Sequence, residues 1–153
     1  MNNIIFLLGE SGSGRHCIAE SLKRNYGITV INLRQEDPFD FKDYGITILV
    51  ICDNKSLYQL YNSFPRCKKN KVIYLDALEN VRYLRMTLKE SEGYAKRKLA
   101  SDRRKSKKHP ISPDVIFYND TMIYDMDDRR AEIDWIADRI YEYILKVSKE
   151  ESI

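Results

Sequence analysis

The sequence predicts an open α/β fold in which a parallel sheet is flanked by helices, and three observations carry that expectation. Five short runs are nearly continuous in aliphatic, β-branched or aromatic residues, as strands buried on both faces are. Longer segments with apolar residues at helical spacing separate them, the alternation of strand and helix units wound into a parallel sheet. The first run also passes directly into a glycine-rich turn, Gly9-Glu-Ser-Gly-Ser-Gly.

Strands are expected at residues 4–8, 28–33, 46–52, 72–75 and 115–118. The first helix leaves the glycine turn, buries Ile18, Ala19 and Leu22, and stops at Gly27, a residue suited to a helix end. The second runs over about 55–64 and is ended by Pro65. After the fourth strand, Leu78, Val81, Leu84, Arg85 and Leu88 keep helical spacing up to Glu90, and Gly93 separates this helix from a basic one. The last helix starts near Asp127 or Asp128 and carries Ile133, Ile136, Ala137, Ile140, Ile144 and Val147 on one stripe. Trp135 flanks the stripe and is expected in the core. Residues 34–45 are acidic and aromatic without a period, which reads as a loop or a reduced insert.

A chain of 153 residues is the size of one domain with a core that needs no staples. Cys17, Cys52 and Cys67 are odd in number, lack C-x-x-C spacing and have only two histidines to join them, which argues for a reduced, intracellular protein without structural zinc. No apolar stretch approaches the roughly 18 to 20 residues that cross a bilayer, and the opening apolar run lacks the flanks of a signal peptide. A soluble, cytoplasmic protein is therefore expected, with no membrane partner. Net charge is only +3, yet residues 96–108 hold eight Lys or Arg against the single acid Asp102. Such a run is either a solvated helix face or an approach to polyphosphate or nucleic acid. Without interleaved aromatic residues it offers little for stacking bases.

Residues 9–16 follow the pattern G-x-x-x-x-G-K-[ST] except at the last two positions. In that pattern glycines let the backbone fold into a nest of N–H groups at a helix N-terminus, whose dipole favours anions. Gly9, Gly12 and Gly14 supply the nest with Ser11 and Ser13 between them. Arg15 stands where a lysine reaches the outer phosphates, and His16 where a hydroxyl sits on Mg²⁺. Arginine still neutralises phosphate but is bulkier and planar. Imidazole suits softer metals than magnesium, and His16 lacks partners for a metal site of its own. Backbone anion binding depends on neither side chain.

These residues resemble the P-loop nucleoside monophosphate kinases, and guanylate kinase most of all. Gly9 to Gly14 is similar to that family's Ser-Gly-x-Gly loop. The segment from Ile28 to Arg34, Ile-Thr-Val-Ile-Asn-Leu-Arg, resembles the strand entering the nucleotide-binding insert. Residues 89–104, Lys-Glu-Ser-Glu-Gly-Tyr-Ala-Lys-Arg-Lys-Leu-Ala-Ser-Asp-Arg-Arg, resemble the lid and the helix after it. Asp114-Val-Ile-Phe-Tyr-Asn-Asp resembles the last strand with its Asn-Asp ending. The resemblance implies a single domain over residues 1–153, a five-stranded sheet in the order 2-3-1-4-5, and a lid region at about 86–108. It further implies ATP as phosphoryl donor, a nucleoside or deoxynucleoside monophosphate as acceptor, and Mg²⁺ held through water and phosphate.

By the same resemblance Arg15, Arg85 and Arg97 are the catalytic candidates, since planar guanidinium groups hold two phosphate oxygens at once. Gly9, Ser11, Gly12, Ser13, Gly14, Arg15 and His16 would hold the donor phosphates, with Asn119 beside the donor base. Arg34, Tyr44 and Asp53 fall on the acceptor side, Asp53 where an acid can organise Mg²⁺ through water. Each has a plainer alternative. Arg85 and Arg97 also fit surface charges, Asn119-Asp120 a turn, and Asp53-Asn54 the cap of the next helix. Tyr44 with Glu36, Asp37 and Asp40 equally fits an ordinary polar loop.

Guanylate kinases carry a sizeable insert after the second strand, whereas this chain has about a dozen residues there, few for reading a base. Three functions stay open on sequence: a nucleoside monophosphate kinase, a catalytically degenerate relative that binds nucleotide or a phosphorylated protein, and a nucleic-acid-binding protein using the basic helix.

Overall fold

The computed structural model describes residues 3–33, 47–120 and 126–151. β1 (Asn3–Leu8) is the middle strand of a five-stranded sheet in the order β2-β3-β1-β4-β5. β2 spans Thr29–Asn32, β3 Thr47–Cys52, β4 Lys71–Asp76 and β5 Val115–Tyr118, and every pairing is parallel. Period two in β1 splits its side chains between two cores. Ile5 and Leu7 enter one, while Ile4, Phe6 and Leu8 enter the other. A strand buried on both faces needs helices on both.

On the first face, α1 (Arg15–Tyr26) contributes Ile18, Ala19 and Leu22, and α5 (Met126–Glu151) contributes Ile136, Ala137, Ile140, Ile144 and Val147. Gly27 ends α1 with its N–H on the Lys23 carbonyl. Asp134 ties the two helices, accepting from the Ser21 hydroxyl at 2.6 Å and from Arg24 at 2.9 Å. The opposite core is covered by α2 (Asn54–Ser63), through Leu57 and Leu60, and by a 3₁₀ turn over Pro65–Lys69 that buries Cys67. All three cysteines are free thiols, and only Cys17 is exposed.

α3 (Glu79–Lys89) and α4 (Glu92–Lys108) pack on each other through Met86, Ala95 and Leu99. The break between them lies at Glu90–Ser91 rather than at Gly93. Ser91 caps α4 by accepting from the Tyr94 N–H at 3.1 Å, so Gly93 belongs to the first turn. The stripe expected of α3 is also corrected: Leu84 and Leu88 are exposed, while Val81, Arg82 and Met86 are buried. Arg82 can go inside because carboxylates meet its guanidinium there. Trp135, expected in the core, is 55% exposed with the Arg139 guanidinium 4.5 Å over its ring. One position along a helix is a rotation of about 100°, enough to carry Trp135 off the stripe that Ile136 occupies. The expected insert at 34–45, with Arg34, Glu36, Asp37, Asp40 and Tyr44, lies outside the described residues.

Burial sets the expected cost of substitution. Ile140→Ala empties a fully buried position and should lower unfolding free energy by about 2–5 kcal/mol in denaturant titration. Trp135→Ala removes an exposed ring and one cation–π contact, so a loss of about 1 kcal/mol or less is expected.

Candidate functional site

Residues 9–16 leave β1 at the C-terminal edge of the sheet and turn into α1, where ligands of open α/β folds sit. The first N–H groups of α1 have no carbonyl a turn earlier to receive them and present a partial positive charge. Gly14 is the N-cap residue, at φ 94°. A Cβ there would stand 2.5 Å from the Asn119 side-chain nitrogen, so both conformation and space demand glycine. Gly12, at φ 80°, brings the loop against α3, and a Cβ on it would meet the Arg82 carbonyl at 2.9 Å.

Side chains from three other elements hold the loop, two of them through its carbonyls. Asn119, at the end of β5, donates through Nδ2 to the Ser13 carbonyl at 2.8 Å. Arg85 of α3 donates to the Gly12 carbonyl at 3.0 Å and to the Asn119 carbonyl at 2.7 Å. Arg82 pairs with Glu10 at 2.8 Å and stands 3.7 Å from Asp102 of α4. Asp102 in turn accepts from the Ser11 N–H at 2.9 Å, and the Ser106 hydroxyl donates to Glu10 at 2.9 Å. The Gly12 and Ser13 carbonyls are thus held from outside the loop, while the Ser11 N–H is taken by Asp102 and the Ser13 N–H by the Glu10 carbonyl at 3.1 Å.

Two cavities flank the loop. The larger, about 610 Å³, is lined by residues 10–17 and by α3 and α4 residues including Arg85, Lys89 and Tyr94, with Arg129 of α5. The smaller, about 420 Å³, lies beyond the ends of β2 and β3 and is lined by Arg15, His16, Asn32, Asp53, Lys55, Ser56 and Lys105 among others. Arg15 and His16 line both. The Arg15 guanidinium donates to the Cys52 carbonyl at 2.5 Å, which places it at the tip of β3 between the two spaces. Burial lowers its pKa, opposed by the nearby Cys52 and Asp53, yet a guanidinium stays charged at neutral pH. Arg85 is lowered in the same way, by burial and then by neighbouring Arg129.

The structure sorts the expected site residues. Gly9, Ser11, Gly12, Ser13, Gly14, Arg15 and His16 form the loop, with Arg85 against it. Arg97 is exposed on α4, on the side away from Ala95 and Leu99, and it is not among the residues lining either cavity. Asn119 is only 6% exposed, and its side chain braces the loop through the Ser13 carbonyl. Its neighbour Asp120 accepts from the Leu78 N–H at 2.7 Å, closing the turn. Asp53 caps α2, accepting from the Ser56 N–H at 2.7 Å, while also lining the smaller cavity. Burial alone would raise its pKa, but hydrogen bonds from Ser56, with Lys105 and Arg15 nearby, bring it below the ordinary value. Arg34 and Tyr44 lie outside the described residues.

Sequence reasoning missed Arg82, Lys55, Lys105 and the part played by Asp102. Lys105 and Asp102 left a trace, as a member of the basic run at residues 96–108 and as its one acid. No cluster of three or more His, Cys, Asp or Glu able to hold a metal ion occurs among the described residues, and none of their helices is long and apolar enough to cross a membrane.

Two measurements check this geometry. Asn119→Ala leaves the Ser13 carbonyl buried without its donor and should cost about 1–3 kcal/mol in stability. Asp53→Asn keeps a capping side chain but removes the charge. Because the folded pKa of Asp53 is depressed, its charge stabilises above the unfolded value and the benefit fades as pH falls through the folded value. The variant should therefore be less stable than the native chain at pH 7 and equal to it in strong acid.

No protein-family sequence profile and no curated protein sequence matches this chain. Solved structures do. An uncharacterized protein from Eubacterium ventriosum ATCC 27560 aligns over 94% of this chain and 98% of its own, with a TM-score of 0.60 at 15% identity. Shikimate kinase from Bacteroides thetaiotaomicron aligns over 92% and 97%, with a TM-score of 0.57 at 15% identity. A gluconokinase from Sinorhizobium meliloti 1021 aligns over 95% and 97%, with a TM-score of 0.52 at 16% identity. At such identities the likeness is one of fold: the five-stranded parallel sheet in the order 2-3-1-4-5, flanked by helices, is the architecture of the P-loop kinases.

Proposed function

We propose that this protein is a small-molecule phosphotransferase that uses ATP as donor and a nucleoside monophosphate as acceptor. One observation carries the reading: Arg15 and His16 line both cavities, so the phosphate loop stands at the junction of a larger space and a smaller polar one. Phosphoryl transfer needs that arrangement, with donor and acceptor oxygens in line on either side of one phosphorus and positive charge around it. The donor's phosphates would lie on the amides at the start of α1, and its nucleoside would fill the 610 Å³ cavity beside Arg85 and Tyr94. Several solved structures of the same fold are named as kinases, which supports the reaction class.

The smaller cavity favours an acceptor that brings its own negative charge. Arg15, His16, Lys55 and Lys105 line it, against the single carboxylate Asp53 among its described lining residues. Asp53 also makes a poor general base, being engaged with Ser56 and held below its ordinary pKa. A hydroxyl acceptor must lose a proton as it attacks. A phosphate acceptor, with its second pKa near about 6, is already ionised at neutral pH and needs no base. In the step, an acceptor phosphate oxygen forms a bond to the γ-phosphorus while the bond to the β–γ bridging oxygen breaks, and ADP leaves with that electron pair. Arg15 would neutralise charge at the transferring group, and Arg85 would keep the Gly12 and Asn119 carbonyls in place.

Direct Mg²⁺ coordination does not fit the residues present. His16 offers imidazole where a hard oxygen is wanted, and one Asp53 oxygen is taken up by the Ser56 N–H.

A coupled ADP-release assay over the common nucleoside monophosphates, with hydroxyl acceptors alongside, tests the reading. Turnover with at least one monophosphate is expected, and its loss in Gly14→Val. Lys105→Ala should raise the acceptor KM by about tenfold, the scale of one hydrogen bond to a charged group, with ATP affinity unchanged. Turnover confined to hydroxyl acceptors would overturn the assignment of the acceptor. ATP binding without any turnover would favour a nucleotide-binding module instead.

A further inference from the structure

Asp102 is the single acid in the basic stretch of α4, and it reaches the phosphate loop. One carboxylate oxygen accepts from the Ser11 N–H at 2.9 Å, and the other stands 3.4 Å from the Ser11 hydroxyl. A carboxylate bonded to an amide of such a loop does what a phosphate oxygen does there. Its side chain is only 12% exposed. The charge around it is also unusual for a polyphosphate site. Glu10 and Asp102 share the one guanidinium of Arg82, at 2.8 and 3.7 Å, which leaves a net negative charge at the Ser11 end of the loop. At the other end, the first turn of α1 brings the partial positive charge of a helix start to the larger cavity, beside Arg15 and Arg85.

We propose that Asp102 is a built-in competitor for the outermost phosphate, and thereby the residue that sets the preference of the loop between nucleoside diphosphate and triphosphate. A diphosphate held on the amides at the start of α1 leaves the Asp102–Ser11 hydrogen bond intact. A triphosphate extends toward Ser11, meets a carboxylate that repels it, and must displace that carboxylate to gain the amide. Displacement moves the middle of α4, and with it the Ser106 contact to Glu10 and the Lys105 side chain that lines the acceptor cavity. Entry of a triphosphate is thus coupled to rearrangement of the acceptor side, while a diphosphate leaves α4 docked. The inference rests on the proposed donor site and adds to it a selectivity that the loop motif alone does not contain.

Calorimetric titration of the native chain, Asp102→Asn and Asp102→Ala with ADP and with a non-hydrolysable ATP analogue tests it. Asp102→Asn is nearly isosteric and preserves packing while removing the charge, and circular dichroism melting confirms that each variant is folded. The native chain should bind ADP more tightly than the triphosphate. Both substitutions should raise triphosphate affinity about tenfold while changing ADP affinity less than twofold. Hydrogen exchange on the native chain gives an independent readout: the triphosphate analogue should speed exchange in residues 101–108, and ADP should not. Equal changes for both nucleotides, or identical exchange with either one bound, would overturn the role of Asp102 and leave the donor site standing. Failure of the native chain and both variants to bind any nucleotide would overturn the donor site itself, and this inference with it.

Discussion

The site depends on one constraint: the backbone between β1 and α1 turns sharply at Gly12 and Gly14, and its carbonyls must find partners elsewhere in the fold. Such a loop has no internal ladder to hold it, and an unpaired buried carbonyl costs as much as a lost hydrogen bond. The chain meets this with long-range partners. Asn119 takes the Ser13 carbonyl, Arg85 takes that of Gly12, and the Arg82 network fixes Glu10 beside Ser11. Those partners come from β5, α3 and α4, so the loop's shape is a property of the assembled domain rather than of the glycines alone.

The same requirement explains why charged and polar residues sit where apolar ones would otherwise pack. Arg82 is nearly as buried as the core aliphatics, and Asn119 likewise. A buried guanidinium is tolerated only when carboxylates and carbonyls surround it. Here Glu10 comes from the loop and Asp102 from α4, so the ion pairs tie the loop to two helices at once. These contacts are also the ones an incoming anion would disturb.

Arg15 and His16 change what surrounds the loop without changing its backbone. The Arg15 side chain is long enough to reach the Cys52 carbonyl, and in that position it lines the smaller cavity as well as the larger one. A lysine ammonium is a compact charge without the planar fork by which a guanidinium holds a carbonyl on one edge and keeps the other edge for a second partner. The substitution thus moves positive charge toward the side where Lys55 and Lys105 already stand.

The fold was legible in the chain, because strand and helix periods are local and β1 must bury both faces. The runs at residues 4–8 and 115–118 and the α5 stripe from Ile136 to Val147 announce themselves through side-chain spacing alone. The phosphate loop was legible for the same reason, since Gly12 and Gly14 encode backbone angles that few other residues adopt. What encloses the loop was not. Arg85 and Arg97 are equal as sequence, two arginines on neighbouring helices, and only packing puts one on the Gly12 carbonyl and the other in solvent. Asn119 reads as a turn residue or a base contact until β5 is laid beside β4, and Trp135 reads as core until α5 is rotated against the sheet. Local patterning therefore determined the elements, the glycine turn and the chemistry it can offer. Tertiary structure alone decided which charges face that turn, because those contacts join residues separated by 71 to 106 positions along the chain, and no local spacing specifies them.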